Sequence, residues 1–268
     1  MDALARIWPA FGLRIGCGPL QLAAVRDDDV PVLVDLAAGG IHDPGEMPFA
    51  VPWSTVPLPA LAPAMATYYW RQRAAFEPDS WSLDLVVRHQ STVVGVQGFG
   101  TRDYPVTRTG ETGSWLGREH QGRGIGTLMR QTMCAFLFDH LDAAEVTSAA
   151  FTDNPASLAV SRKVGYADNG LSRERRQDVL AHSQRLTLTA DAFVRPPYPL
   201  AIEGLDAFRR FIGLNGPGGD GNAHSKNPGI PPCDTPISTH RVPAETFSGL
   251  LRPSPLGQRG PGWQPWLR

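Results

Sequence analysis

The stretch that decides the fold runs Glu111-Thr112-Gly113-Ser114-Trp115-Leu116, then Gly117-Arg118-Glu119-His120, then Gln121-Gly122-Arg123-Gly124-Ile125-Gly126. The first six residues read as a strand and the residues after the glycines as a helix. The glycines therefore sit in a strand-to-helix turn. Without side chains, Gly122, Gly124 and Gly126 let the backbone take positive φ and turn several N–H groups toward one anion. Those groups are the unsatisfied donors of a helix N-terminus, where the macrodipole also favours negative charge. A turn of this kind predicts a diphosphate held mainly by backbone, although an ordinary glycine-rich turn has the same composition. Two nucleotide loops are excluded. A dinucleotide loop needs a third glycine where Thr127 stands, and a Walker loop needs a lysine between glycine and Ser/Thr, which Gly126-Thr127 lacks.

Downstream, Ile125, Leu128, Met129, Thr132, Met133, Phe136, Leu137 and His140 recur at i, i+3, i+4, i+7 and predict a helix with one wide apolar stripe. Val146 to Phe151 reads as the next strand. After it, Asp153-Asn154-Pro155 starts a helix, with Pro155 at its first position and Asn154 as N-cap. That helix runs through Leu158, Val160 and Val164 and stops at Gly165.

These residues, in this order, resemble the GNAT superfamily of acetyl-CoA-dependent N-acetyltransferases. The pyrophosphate signature Q/R-x-x-G-x-G/A is matched by Gln121, Gly124 and Gly126. Within the superfamily, the ribosomal-protein alanine N-acetyltransferase branch has an N-x-x-S block before a helix and G-F/Y. Here that block is Asn154-Pro155-Ala156-Ser157 followed by Gly165-Tyr166, and the strand from Glu111 to Leu116 is similar to that branch's E-I-G-Y-W-L. The resemblance covers roughly residues 20 to 188. It implies an α/β (α+β) fold with a mixed, mostly antiparallel central sheet flanked by helices, and acetyl-CoA as cosubstrate with no metal. The implied cofactor contacts are Ser114, Trp115 and Leu116 along the pantetheine, Gln121, Gly122, Arg123, Gly124, Ile125 and Gly126 at the diphosphate, and Asn154 with Ser157. Arg118 and Arg130 are weaker candidates for the phosphates.

Acyl transfer needs a neutral amine. At pH 7, deprotonation costs about 4 to 5 kcal/mol for a lysine and about 1 for an α-amine, so a modest base suffices for the latter. Glu111, at the family strand position near the acceptor, is the first candidate and would act through a water. As a strand-end residue after Gly110, it also has an ordinary solvated role. Glu119 and His120 are rivals placed beside the diphosphate rather than the acceptor. Many superfamily members supply an acid to the leaving thiolate from a tyrosine seven residues after the helix-starting Asn. That position is Ser161 here, and the resembling branch also uses serine. Tyr166 reads as core.

The proline-laced segment from His42 to Trp53 predicts a long loop which, with the Tyr68-Tyr69-Trp70 helix, would build the acceptor pocket from Phe49, Trp53 and Tyr69. Upstream, Leu20 to Val25 reads as a first strand, Val30 to Ala38 as a helix, and Leu83 to Arg88 with Val93 to Phe99 as a hairpin across Gln90-Ser91. Domain organisation follows as an N-terminal extension over 1–19, the acetyltransferase domain over 20–214, and a tail over 215–268. The tail holds 10 Pro and 9 Gly in 54 residues, above the roughly 25 to 30% at which disorder is the expectation.

The chain of 268 residues has net charge -1, which excludes nucleic acid as the main partner. Cys17, Cys134 and Cys233 are three well-separated cysteines without metal-ligand spacing, so no zinc site or disulfide framework follows. The N-terminal apolar run is broken by Pro9 and Gly12. No signal peptide or membrane span is expected, and the cytoplasm is the expected compartment. The partners are acetyl-CoA and an amine acceptor, either a protein N-terminus or a small molecule, and a homodimer stays open. A CoA-binding regulatory or scaffold protein with a partner-binding tail is the alternative to an enzyme.

Overall fold

The computed structural model describes residues 2–214, and the segment read as a tail lies outside the described residues. In chain order the elements are α1 (Ala3–Ile7), β1 (Arg14–Cys17), β2 (Leu20–Ala24), α2 (Val30–Ala38), α3 (Leu58–Ala74), β3 (Ser82–His89), β4 (Thr92–Gly100), α4 (Tyr104–Thr107), β5 (Glu111–Leu116), α5 (Ile125–His140), β6 (Glu145–Phe151), α6 (Pro155–Val164), β7 (Ala167–Arg176), β8 (Val179–Thr189), β9 (Leu200–Glu203) and α7 (Leu205–Phe211). Gln90 and Ser91 both take positive φ, 49° and 72°, as a two-residue hairpin turn with the native strand twist requires. Between α2 and α3 the chain forms no helix or strand beyond a 3₁₀ turn at Trp53–Thr55. This loop is the one that its prolines predicted.

The strands form one nine-stranded sheet among the described residues, in the order β7-β8-β6-β5-β4-β3-β2-β1-β9. Its described pairings are antiparallel except that between β5 and β6. The parallel pairing needs a crossover, and α5 supplies it. It is also short, with only Glu111↔Thr147 and Thr112↔Ser148 in register. From Gly113 onward β5 keeps its bonds to β4, while β6 keeps its bonds to β8 through Phe151↔Ser183. The two strands therefore diverge, and a wedge opens between them toward the glycine turn.

One core lies between the sheet and α5, α6 and α7, with Met133, Phe136, Leu137 and Phe208 fully buried. Each such side chain contributes about 1.5–3 kcal/mol on burial. The other lies under α2, α3 and the loop, around Leu33, Trp53, Val86, Val96 and Trp115. Helix α5 is buried over more of its circumference than one stripe, because Arg130, Gln131, Cys134 and Ala135 are buried as well. The chain after β8 covers it. Gln131 donates to the Val194 carbonyl at 3.0 Å and Arg195 pairs with Asp139 at 2.6 Å.

Several elements here, β1, β9 and α7 among them, had no counterpart in the sequence reading. Strand β1, in the stretch read as an extension, pairs with β2 and with β9, and α7 buries Phe208 beneath the sheet. Four-residue strands with a central glycine or alanine carry almost no periodicity, so β1 and β9 were invisible without their partners.

Candidate functional site

At the open end of the wedge, β5 passes through Gly117 and a 3₁₀ turn at Arg118–His120 into the glycine run and α5. Gly122 and Gly124 adopt φ of 72° and 81°, a region that side chains make costly, and nothing lies within 4 Å of where a Cβ would stand on either. Gly126 differs from expectation. It is helical, and a Cβ there would make ordinary contact with Leu116 and Val160. Gly124 is the N-cap of α5, with no side chain bonding the first-turn N–H groups, so the donors that an anion needs are left on offer.

Gln121 anchors the turn. Its side-chain amide donates to the Ile41 carbonyl at 2.6 Å and the Leu116 carbonyl at 3.0 Å, tying the end of β5 to the start of the loop between α2 and α3. Arg123 is exposed within the turn. Arg118 is engaged elsewhere, in an exposed pair with Asp43. The third candidate, Arg130, is 3% exposed and lies inside the protein rather than at the phosphate turn. Glu119 and His120 contact each other at 3.4 Å beside the turn, at the opposite end of β5 from Glu111.

Across the wedge, Asn154 caps α6 by accepting from the Ser157 N–H at 3.1 Å, and Gly165 ends that helix at φ 106°. The N-termini of α5 and α6 thus flank the same opening. Ser161 is fully buried and its hydroxyl donates to the Ser157 carbonyl at 3.1 Å. Tyr166 is buried core. Its hydroxyl meets Thr112 at 2.9 Å and the Cys134 thiol at 3.4 Å, and burial holds the phenol well above its ordinary pKa.

Alternation along β5 sends Thr112, Ser114 and Leu116 toward α5 and Glu111 and Trp115 toward the other face. Trp115 stacks edge-on with Trp53 at 5.5 Å, and Phe49 packs on Trp53 at 5.1 Å. Phe49, Trp53 and Tyr69 are 4%, 2% and 5% exposed. All three are core side chains that hold the loop and α3 against the sheet. A cavity of about 40 Å³ lies between α3 and the N-terminal turn, and Tyr69 is the one predicted acceptor residue among those lining it. Asp84 also lines it, and burial raises its carboxyl to about 7 against the opposing hydrogen bond from Tyr68.

Glu111 pairs with Arg185 of β8 at 3.1 Å and remains 21% exposed. At the far end of β6 from Glu111, Arg176 of β7 grips Asp153 through both nitrogens at 2.7 and 2.6 Å and donates to the Met47 carbonyl at 3.2 Å. The guanidinium holds the Asp153 carboxyl below the usual carboxylate range. These two arginines join the β7–β8 hairpin to the site. Sequence reasoning missed both, because a charged residue in a polar hairpin reads as solvated surface until its partner is located.

The sequence from residue 20 to 167 matches the family model described as Acetyltransferase (GNAT) domain. The chain belongs to the GNAT acetyltransferase family. Its curated relatives include YdaF of Bacillus subtilis (strain 168), named as a candidate ribosomal N-acetyltransferase, 26% identical over 105 residues. That match covers 39% of this chain, and the chain spans 55% of YdaF's length. Among solved structures, RimJ of Mycobacterium smegmatis in complex with a coenzyme A disulfide is 18% identical, with a TM-score of 0.53 over 69% of this chain and 89% of that one. An acetyltransferase from Salmonella typhimurium that modifies the N-terminal serine of a 50S ribosomal subunit protein is 17% identical, with a TM-score of 0.54 over 65% and 96%. At these identities the structures establish the shared GNAT fold. Among the described residues no group of three His, Cys, Asp or Glu converges as a metal site, and no helix is long and apolar enough to cross a membrane.

Proposed function

We propose that this chain transfers the acetyl group of acetyl-CoA to a primary amine, by direct attack in a ternary complex. The observation that carries the proposal is the wedge between β5 and β6 opening onto the uncapped N-terminus of α5. The diphosphate rests on the backbone from Gly122 to Gly126 with Arg123 beside it. The pantetheine lies along Ser114 to Leu116, and Asn154 and Ser157 border its other side. From the turn to Glu111 the strand spans about 17 Å, which separates the phosphates from the chemistry.

The acceptor enters from the face of Glu111 and Arg185, beneath the 42–53 loop that Phe49, Trp53 and Tyr69 hold in place. Glu111 takes the amine proton through a water, a contribution of about 10² to 10⁴ in rate. We assign a protein N-terminal α-amine as the preferred acceptor, because it requires the least deprotonation and because YdaF is named as a candidate ribosomal N-acetyltransferase and the Salmonella typhimurium protein is described as modifying the N-terminal serine of a ribosomal subunit protein. The compartment in this reading is the cytoplasm.

The test is release of coenzyme A thiol in a screen of amines, with short peptides bearing free N-termini against polyamines and aminoglycosides. Peptide-dependent release supports the proposal. Binding of acetyl-CoA with no release for any amine supports instead the non-catalytic CoA-binding reading, which the buried, internally bonded Ser161 hydroxyl favours.

A further inference from the structure

A guanidinium is buried where the sheet splits. Arg130 of α5 is 3% exposed, donates from one nitrogen to Ser114 Oγ of β5 at 3.0 Å, and from the other to Ser148 Oγ of β6 at 3.1 Å. It therefore bridges the strands where they part, from Ser148 in their last registered pair, Thr112↔Ser148, to Ser114 two residues beyond it. Its Nε has no hydrogen-bond partner, and no ion pair involving Arg130 occurs among the described residues. A buried cation held only by neutral hydroxyls is costly unless a negative charge arrives to meet it.

The groups facing it do not supply that charge. The Tyr166 ring lies 6.0 Å away, and burial pushes the Cys134 thiol on the same helix up to about 11, so both are neutral near pH 7. Glu111 on β5 and Glu145 on β6 project from the opposite face of the sheet. Ser161 on α6 spends its proton on the Ser157 carbonyl.

We infer that Arg130 stabilises the coenzyme A thiolate that leaves when the acetyl group is transferred. The inference rests on the donor assignment above, which lays the thiol end of the pantetheine in this wedge. In the step, the amine nitrogen forms a bond to the thioester carbonyl carbon and gives its proton to the water held by Glu111. The C–S bond breaks, and sulfur departs with the electron pair as a thiolate. The charge on Arg130, with the hydroxyl of Ser114 that it orients, lowers the energy of that anion without a proton donor, while Ser148 spends its proton on the Thr112 carbonyl at 3.1 Å. Arg130 is thus a positioning and electrostatic residue for the leaving group.

The experiment measures Kd for coenzyme A and for acetyl-CoA from pH 6 to 8.5, in the full chain and in Arg130→Met and Arg130→Lys. Any titration near the phosphates affects both ligands alike, so the ratio of the two constants isolates the thiol. A free thiol titrates near 8.5. If its anion is stabilised, coenzyme A gains about tenfold in affinity relative to acetyl-CoA across this range. Arg130→Met should flatten the ratio and lower kcat about tenfold or more with acetyl-CoA affinity kept within about threefold, and Arg130→Lys should restore most of the slope. A flat ratio in the unaltered protein, or an unchanged slope in folded Arg130→Met, overturns the inference. If Arg130→Met does not fold, the slope in the unaltered protein and in Arg130→Lys still decides it. Failure of both ligands to bind refutes the donor assignment instead, a result that a flat ratio cannot be mistaken for.

Discussion

Replacing Gly124 by alanine separates what the glycine turn does for the fold from what it does for a ligand. Gly124 sits at φ 81° and Gly170, in β7, at φ 85°, and a Cβ on either meets nothing within 4 Å. Each substitution therefore has the same local cost, about 1–2 kcal/mol for placing an L-residue in the left-handed region, and no steric cost from the protein. A domain of this size should lose about 2–4 °C of melting temperature per kcal/mol in both variants. The difference lies in the ligand. At Gly124 the methyl occupies the open space above the uncapped N–H groups of α5. Displacing a diphosphate from even one charge-assisted hydrogen bond costs about 1.5–3 kcal/mol, which is about 10- to 150-fold in Kd. Calorimetric titration with acetyl-CoA on both variants reads this directly. Gly170→Ala should bind like the unaltered protein and Gly124→Ala at least tenfold more weakly. Equal affinities in the two variants would refute the assignment of this turn as the diphosphate seat.

Glu111→Gln should lower kcat about 10²-fold or more and leave acetyl-CoA affinity unchanged, as measured by steady-state thiol release and titration. Arg176→Ala removes the tie to Asp153 and to the Met47 carbonyl, so acceptor KM should rise several-fold with acetyl-CoA affinity intact, and a rise in both constants would show that the tie supports the whole site. Asp84 titrates near 7 in the folded protein and near 3.9 when unfolded, so the native state binds the extra proton between these values. Stability therefore falls as pH rises from about 4 to 7, by at most about 4 kcal/mol. Asp84→Asn should remove that slope and raise the melting temperature more at pH 8 than at pH 5, and a gain independent of pH would disprove the burial of an ionised Asp84.

Much of the central fold was legible in the chain because local chemistry and tertiary contact agree there. Helix α2 keeps its predicted bounds, Asn154 caps α6 and Gly165 ends it, and Gln90-Ser91 turns the hairpin. In each case one or two residues fix the backbone without help from distant sequence. Strands β1 and β9 depend on each other across nearly the whole described chain, and neither pattern identifies its partner. The glycine turn was legible as an open helix N-terminus, while the conformation of Gly126 differs from expectation, since spacing alone does not distinguish a left-handed glycine from a helical one. The position of Arg130 was hidden for a related reason. Its neighbours on α5 read as an amphipathic stripe, and only its partners Ser114 and Ser148 on the sheet show that its side chain points inward. Arg176 and Arg185 took on meaning only through Asp153 and Glu111, which stand 23 and 74 residues away.

The central claim is that acetyl-CoA occupies the wedge between β5 and β6. Titration of the unaltered chain with acetyl-CoA tests it most directly. The structure predicts saturable binding at one site per chain, with a constant in the range of about 1 μM to 1 mM typical of enzyme substrates. No heat and no thermal stabilisation at millimolar acetyl-CoA would contradict it.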